Sequence, residues 1–375
     1  MLRRLGTTLV ALLVLAAPAH AGPGDLDRTF GDHGRLTLTT TGHVAGAALP
    51  DGRRLWLSVQ PPGARPAPLA VGLTAAGQVA DRTRFPAPVT RAPRVADGHT
   101  LAEAGDGRLA LAPIGGAPVV LTVPASTPFD LHDFGVDGAG RAVVFGSERG
   151  GRALAIRFLP DGALDTTYAT GGVAELSGVA GFADAVVKRD GRAFVFGEET
   201  QMALDASGAP IAAYERSIVW PRALDPGSVA TVADGPGDTV LIAGDGVDDN
   251  AFVARIASDG RPDRRFGIRG YVTGSPVLDR LTVESLIRDR HGRLLLGGAY
   301  YEARNRSKGA VLRFSGRGRP DTAFGRDGAK LLSPASRPKA WSVEHILVDA
   351  RERIVVAGAA GAFSAPHPAI ARLKG

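Results

Sequence analysis

An eight-residue pattern, Asp-x-x-Phe-Gly-x-x-Gly, recurs along this chain and restricts it to a repeat architecture. It reads Asp27…Phe30-Gly31…Gly34, then Asp263…Phe266-Gly267…Gly270, then Asp321…Phe324-Gly325…Gly328, with a worn copy at Asp165…Tyr168-Ala169…Gly172. An Asp side chain closes a turn by accepting from a backbone N–H two residues on. Gly supplies the positive φ that other residues resist. The aromatic ring between them anchors the loop to a sheet. The octad therefore predicts a structured connection between strands. Calcium ligation by its Asp is the alternative, but no ladder of further acidic residues surrounds it.

A second unit, Gly-Arg followed by an apolar run, occurs seven times. Its members begin at Gly52, Gly107, Gly140, Gly191, Gly237 (with Asp238 for Arg), Gly292 and Arg353. Short apolar stretches precede these turns, as at Ala183–Val187 and Val283–Ile287. A third strand follows, as at Ala153–Phe158, Phe252–Ile256 and Ala310–Phe314, and the octad leads into a fourth. Four antiparallel strands per repeat predict a β-propeller blade. The fold class expected is all-β: a single seven-bladed propeller over residues 22–375, with six to eight blades compatible with the spacing. The region 60–126 fits least well. Gly107 and Gly140 stand too close for a full blade, and only a vestige of the octad survives at Asp81–Phe85. The chain ends on a third strand, Ala369–Leu373, while the octad at its start leads into Arg35–Thr39. The N-terminal strand is therefore expected to complete the last blade, leaving no free sheet edge.

These octads, with the Gly-Arg-apolar strands and the strands ending at Ile256 and Phe314, resemble the bacterial delta-60 repeat. The resemblance implies an exported bacterial β-propeller of unassigned chemistry and carries no catalytic residue with it.

Residues 1–21 have the order of a secretory signal: Arg3-Arg4, an apolar run over Leu9–Ala16, and the small-residue site Ala19-His20-Ala21. Export to the periplasm or the medium is expected, with cleavage near Ala21. The apolar run is too short to span a membrane comfortably, and no later segment is longer. The sequence contains no Cys, so thiol nucleophiles, Cys-ligated metals and disulfides are excluded. The formal charge of +6 rests on arginines spread along the chain. They read as solvated surface, and nucleic-acid binding is not expected. A monomer is expected.

No nucleophile elbow, phosphate-binding loop or His-Glu-x-x-His is present. Function is therefore expected to be non-enzymatic binding or scaffolding, with an unknown protein or envelope ligand as partner. Aligning the innermost strands on their turns puts Glu284, Glu344 and His132 at one position, with Asp184, Ser285 and His345 one residue further. Such groups at a channel mouth are candidates for a divalent cation, the one cofactor the sequence leaves room for, and the alternative function is a metal-dependent hydrolase or lyase there. The stretch Ala299–Gly309 reads as a recognition loop, with Tyr300, Tyr301, Arg304 and Arg306 as candidate ligand-binding residues. The acidic loop Asp245–Asn250 is a lesser candidate. Trp56, Trp220 and Trp341 are expected to pack between blades.

Overall fold

The structure is a computed structural model. It describes residues 22–375 apart from 64–66, 86–92, 106, 125–128, 149–150, 180, 198–199, 215, 219–227, 247–250, 274–279, 304–305, 334–339 and 363. The fold is an all-β propeller; among the described residues there is no helix, and so none long and apolar enough to cross a membrane. Among the described residues the strands form seven four-stranded antiparallel sheets. Blades 1 to 6 run over 43–84, 94–122, 129–175, 182–217, 228–272 and 281–332. Blade 7 takes His345–Val348, Ile354–Ala362 and Ala365–Leu373 from the end of the chain and Arg35–Thr37 from its start. Arg35, Leu36 and Thr37 pair with Ala371, Ile370 and Ala369, so the first strand seals the ring as expected.

Apolar side chains cluster between neighbouring blades. Phe266, Leu286, Leu296 and Phe314 fill the space between blades 5 and 6; Phe30, Leu57, Val71 and Ile370 do so between blades 7 and 1. Trp341 packs between blades 6 and 7 at 1% exposure, as its sequence context predicts. Trp56 packs edge-on to Phe85 within blade 1, and Trp220 lies outside the described residues.

The octad closes as its chemistry requires. Asp27 Oδ1 accepts from the Thr29 N–H at 3.1 Å, and the copies at Asp165, Asp263 and Asp321 do the same two residues on. The second carboxylate oxygen accepts from an arginine of the preceding strand: Arg372 to Asp27 at 2.9 Å, Arg157 to Asp165 at 2.8 Å, Arg255 to Asp263 at 3.0 Å and Arg313 to Asp321 at 2.9 Å. Each guanidinium also lies over the octad's ring, 4.3 Å from the centroid of Tyr168 and 4.6 Å from that of Phe324. In the Gly-Arg turns the arginine pairs with the turn's own Asp, as in Arg141–Asp137, Arg293–Asp289 and Arg353–Asp349. Much of the arginine content is therefore structural rather than solvated surface, which corrects the sequence reading. An arginine fork that both pairs and stacks holds a loop in a way a hydrated ammonium cannot.

Two further corrections concern the region that fits the repeat least well. The Gly107-Arg108 turn joins the second and third strands of blade 2, His99–Glu103 and Arg108–Pro113. The turn between its first two strands is Asp97-Gly98, both with positive φ, as an Asp-Gly hairpin demands. The crowding of Gly107 against Gly140 disappears with this reassignment. Asp81 is no octad remnant, since Val79–Arg84 is the fourth strand of blade 1.

The octad rings are covered by the next blade's turn. At Gly208, φ is +86° and a Cβ would sit 2.8 Å from the Tyr168 ring. Gly208→Ala is expected to lower stability by about 1–2 kcal/mol through backbone strain and displacement of that ring; urea unfolding at unchanged m-value measures it.

Candidate functional site

Strands alternate direction within each blade, so the octads and the Gly-Arg turns that join first to second strands lie at one end of the ring, and the Gly107-Arg108 turn of blade 2 lies at the other. The opposite end carries the starts of the innermost strands and the second-to-third connections. At this opposite end the innermost strands of blades 1, 3, 4, 5 and 6 share one irregularity. Their ladders skip a residue between Val44 and Gly46, Leu131 and Asp133, Phe182 and Asp184, Val229 and Thr231, and Val283 and Ser285. A bulge leaves one residue unpaired and re-aims the side chains beside it. The unpaired residues are Ala45, His132, Ala183, Ala230 and Glu284; Glu344 stands at the same place, just before its strand begins. The alignment drawn from the sequence thus corresponds to a real structural position repeated round the channel.

The candidates at this position divide into two groups. Glu284 and Glu344, on neighbouring blades, oppose one another electrostatically. Burial, then the Glu284 charge, pushes the Glu344 carboxyl up to about 8, against backbone donors at Ala359 and Val44. Burial and the charge of Asp245 raise Glu284 as well. His132 does not join them. Its Nε2 lies 2.9 Å from Ser147 Oγ, and its ring stacks on Phe182 with centroids 5.1 Å apart. Burial, and then the charge of Arg94, keep this imidazole below its usual range. Asp184 is a strut between blades. Its Oδ2 accepts from the Val232 N–H of blade 5 at 2.7 Å, and it hydrogen-bonds Asp133 of blade 3. Burial and the Asp184 charge raise the Asp133 carboxyl strongly, and burial raises Asp184 as well, so the pair resists carrying two negative charges. Asp133 escaped the sequence reading, although its place one residue past His132, equivalent to Asp184, marked it. His345 is a second strut, its Nε2 donating to the Val44 carbonyl of blade 1 at 3.1 Å. Among the described residues no group of three or more His, Asp or Glu side chains could hold a metal ion.

The stretch 299–309 is a hairpin rather than a loop. It continues the second and third strands of blade 6 outward, pairing Tyr300 with Lys308 and Tyr301 with Ser307. Alternation explains the two tyrosines: Tyr300 packs against the core between blades 5 and 6, while Tyr301 is 45% exposed. Glu302 and Lys308 pair across the hairpin at 2.5 Å, and Arg306 is exposed. Arg304, and residues 247–250 of the acidic loop, lie outside the described residues. Tyr300 also pairs with Leu281 and Ala299 with Thr282, so the base of the hairpin adjoins the bulge that carries Glu284.

No protein-family model matches the sequence, and no curated protein matches it. Solved structures do. The WD40 β-propeller domain of Doa1 superposes with a TM-score of 0.52 at 11% identity, covering 90% of this chain and 95% of that one. A chain of a mitotic checkpoint complex gives 0.55 at 11% identity over 100% and 99%. The extracellular domain of a putative hybrid two-component system from B. thetaiotaomicron gives 0.53 at 9% identity over 91% and 41%. At such identities the likeness is one of fold, and that fold is the β-propeller.

Proposed function

We propose that this protein is an exported, non-enzymatic binding or scaffold module of the delta-60 repeat type. It receives its partner at the end of the ring that carries the channel mouth. The observation that supports this reading is the juxtaposition in blade 6: one ladder carries Glu284 at the mouth and, a few residues away, the projecting hairpin with Tyr301. Paired carboxylates favour a cationic group, and an exposed tyrosine adds rigid contact area with a hydrogen-bonding tip. The propeller fold is consistent with such a role. The metal-dependent alternative would need a third ligand beside Glu284 and Glu344, and His132 and Asp184 are engaged elsewhere.

The test is capture from envelope extracts on immobilised mature protein, comparing wild type with Tyr301→Ala and Glu284→Gln. A partner held by wild type and lost by both variants is the expected outcome. Identical captured sets from all three proteins would remove this surface from consideration. Export is tested on the same preparations: cell fractionation should find the chain outside the cytoplasm, and N-terminal sequencing should begin at Gly22. A chain starting at Met1 in the cytoplasm would end that part of the proposal.

A further inference from the structure

We infer that a cleft on the opposite end of the ring, between blades 5 and 6, docks an acidic peptide segment of a partner protein. The cleft holds about 930 Å³ and lies between the octad of blade 5 and the third-to-fourth turn of blade 6. Arg265 and Ile268 contribute from one side, Arg317, Arg319 and Pro320 from the other, and Val272 lines the cleft as well.

The repeat supplies its own control. Structure requires the Asp, the aromatic ring and the glycines of an octad, and all copies keep a version of these. The remaining positions are free to vary. Where blade 5 has Arg264-Arg265, the other octads have Arg28-Thr29, Thr166-Thr167 and Thr322-Ala323. Where it has Ile268-Arg269, they have Asp32-His33, Thr170-Gly171 and Arg326-Asp327. In the turn that faces it, blade 6 has Arg317 and Arg319, where blade 1 has Ala76 and Gln78 and blade 4 has Ser207 and Ala209. Cationic residues have accumulated at positions where the scaffold does not need them, and on both sides of one cleft.

These arginines also differ in state from those that build the fold. Arg255 and Arg313 are buried, paired with Asp263 and Asp321, and stacked on rings. Arg264, Arg265, Arg269, Arg317 and Arg319 are exposed, and among the described residues none has a carboxylate partner. Asp263 and Asp321, the acids close to them in sequence, are already engaged by Arg255 and Arg313. A free guanidinium fork matches a carboxylate in a bidentate manner, and it binds through loss of little hydration.

Ile268 narrows the occupant to a peptide. At 80% exposure it is the most exposed large apolar side chain among the described residues. A purely charged polymer would leave it wet, and a flat bilayer does not enter a cleft. A segment of Asp or Glu flanking an apolar residue satisfies both the forks and the isoleucine, with arginine and the apolar contact as the dominant anchors.

Fluorescence anisotropy on the mature protein provides the test, using a labelled peptide of Glu residues flanking a central Leu, with a Lys-for-Glu peptide as control. The expected result is saturable binding of the acidic peptide, weakened by added salt. Arg265→Ala combined with Arg317→Ala should cost about tenfold in affinity, and Ile268→Ser about threefold, for folds whose melting is unchanged. Glu284→Gln should leave this binding intact, because it sits at the other end of the ring; this keeps the test separate from the proposed channel-mouth function. Absence of binding, equal binding of the Lys peptide, insensitivity to Ile268→Ser, or equal affinity for anionic vesicles or single-stranded DNA would each overturn the inference.

Discussion

Asp27→Ala is expected to cost the mature protein about 3–5 kcal/mol, the scale for removing one partner of a buried, hydrogen-bonded ion pair. Arg372 is 3% exposed at its side chain and would keep its charge with no carboxylate opposite. The same substitution would release Arg353, whose Nη1 lies 3.1 Å from Asp27 Oδ2, and the Thr29 turn. Asp27 joins the first octad to the last strand, so its loss loosens the one joint that has no peptide bond across it. Asp263→Ala makes the matched comparison, since that octad sits inside a continuous blade and is more exposed; its cost should be smaller. The pH dependence has a definite sign. Burial opposes ionisation of Asp27, but hydrogen bonds from Thr29 and the charges of Arg372 and Arg353 outweigh it and hold the carboxyl at about 2, below its ordinary 3.8. The contribution is complete above that ordinary value and is lost as pH falls through about 2. Urea titrations of wild type and both variants measure all of this. Equal losses for Asp27→Ala and Asp263→Ala would mean that the seam has no special weight.

Glu344→Gln should have the opposite sign and appear at the other end of the pH scale. The folded protein holds the Glu344 proton up to about 8, whereas the ordinary value is 4.5. Folding therefore binds a proton in that interval, and stability declines as pH rises from the lower value through the higher. Glutamine keeps the shape and removes the titration. At pH 9 the variant is expected to exceed wild type by on the order of 2 kcal/mol, less than the full shift would give because the mouth is open to water. At pH 4 the two should coincide. Parallel stability curves for the two proteins across this range would show that the folded protein does not hold the Glu344 proton above its ordinary value.

The fold was legible because its determinants are local. Asp, Phe and Gly at octad spacing specify one turn wherever they occur, and the strand that follows the first octad closes the ring because it pairs with Ala369–Ala371 of the seventh sheet. The count of blades survived the misassignment of Gly107 because the Gly-Arg signature marks any tight hairpin, not only the first of a blade. Asp97-Gly98 carried the needed signal in two residues without an arginine. The site was less legible. Alignment found the position of Glu284, Glu344 and His132, since a bulge repeats with the blades. It could not show that His132 would turn to Ser147 and Phe182, because those contacts join residues far apart in sequence. The arginines illustrate the same limit: paired and unpaired ones have the same letter, and only packing separates Arg255 from Arg265.

The seam also fixes an order of events. Arg35–Thr37 is synthesised before any blade and has its partner, Ala369–Ala371, only after the other six blades have been made. Until then an early strand and a growing stack of sheets both wait with open edges, and loop closure spans all seven blades. A product truncated before Ala369 could build six blades yet never become a torus, and its unmatched edges would be the surfaces on which such fragments stick together.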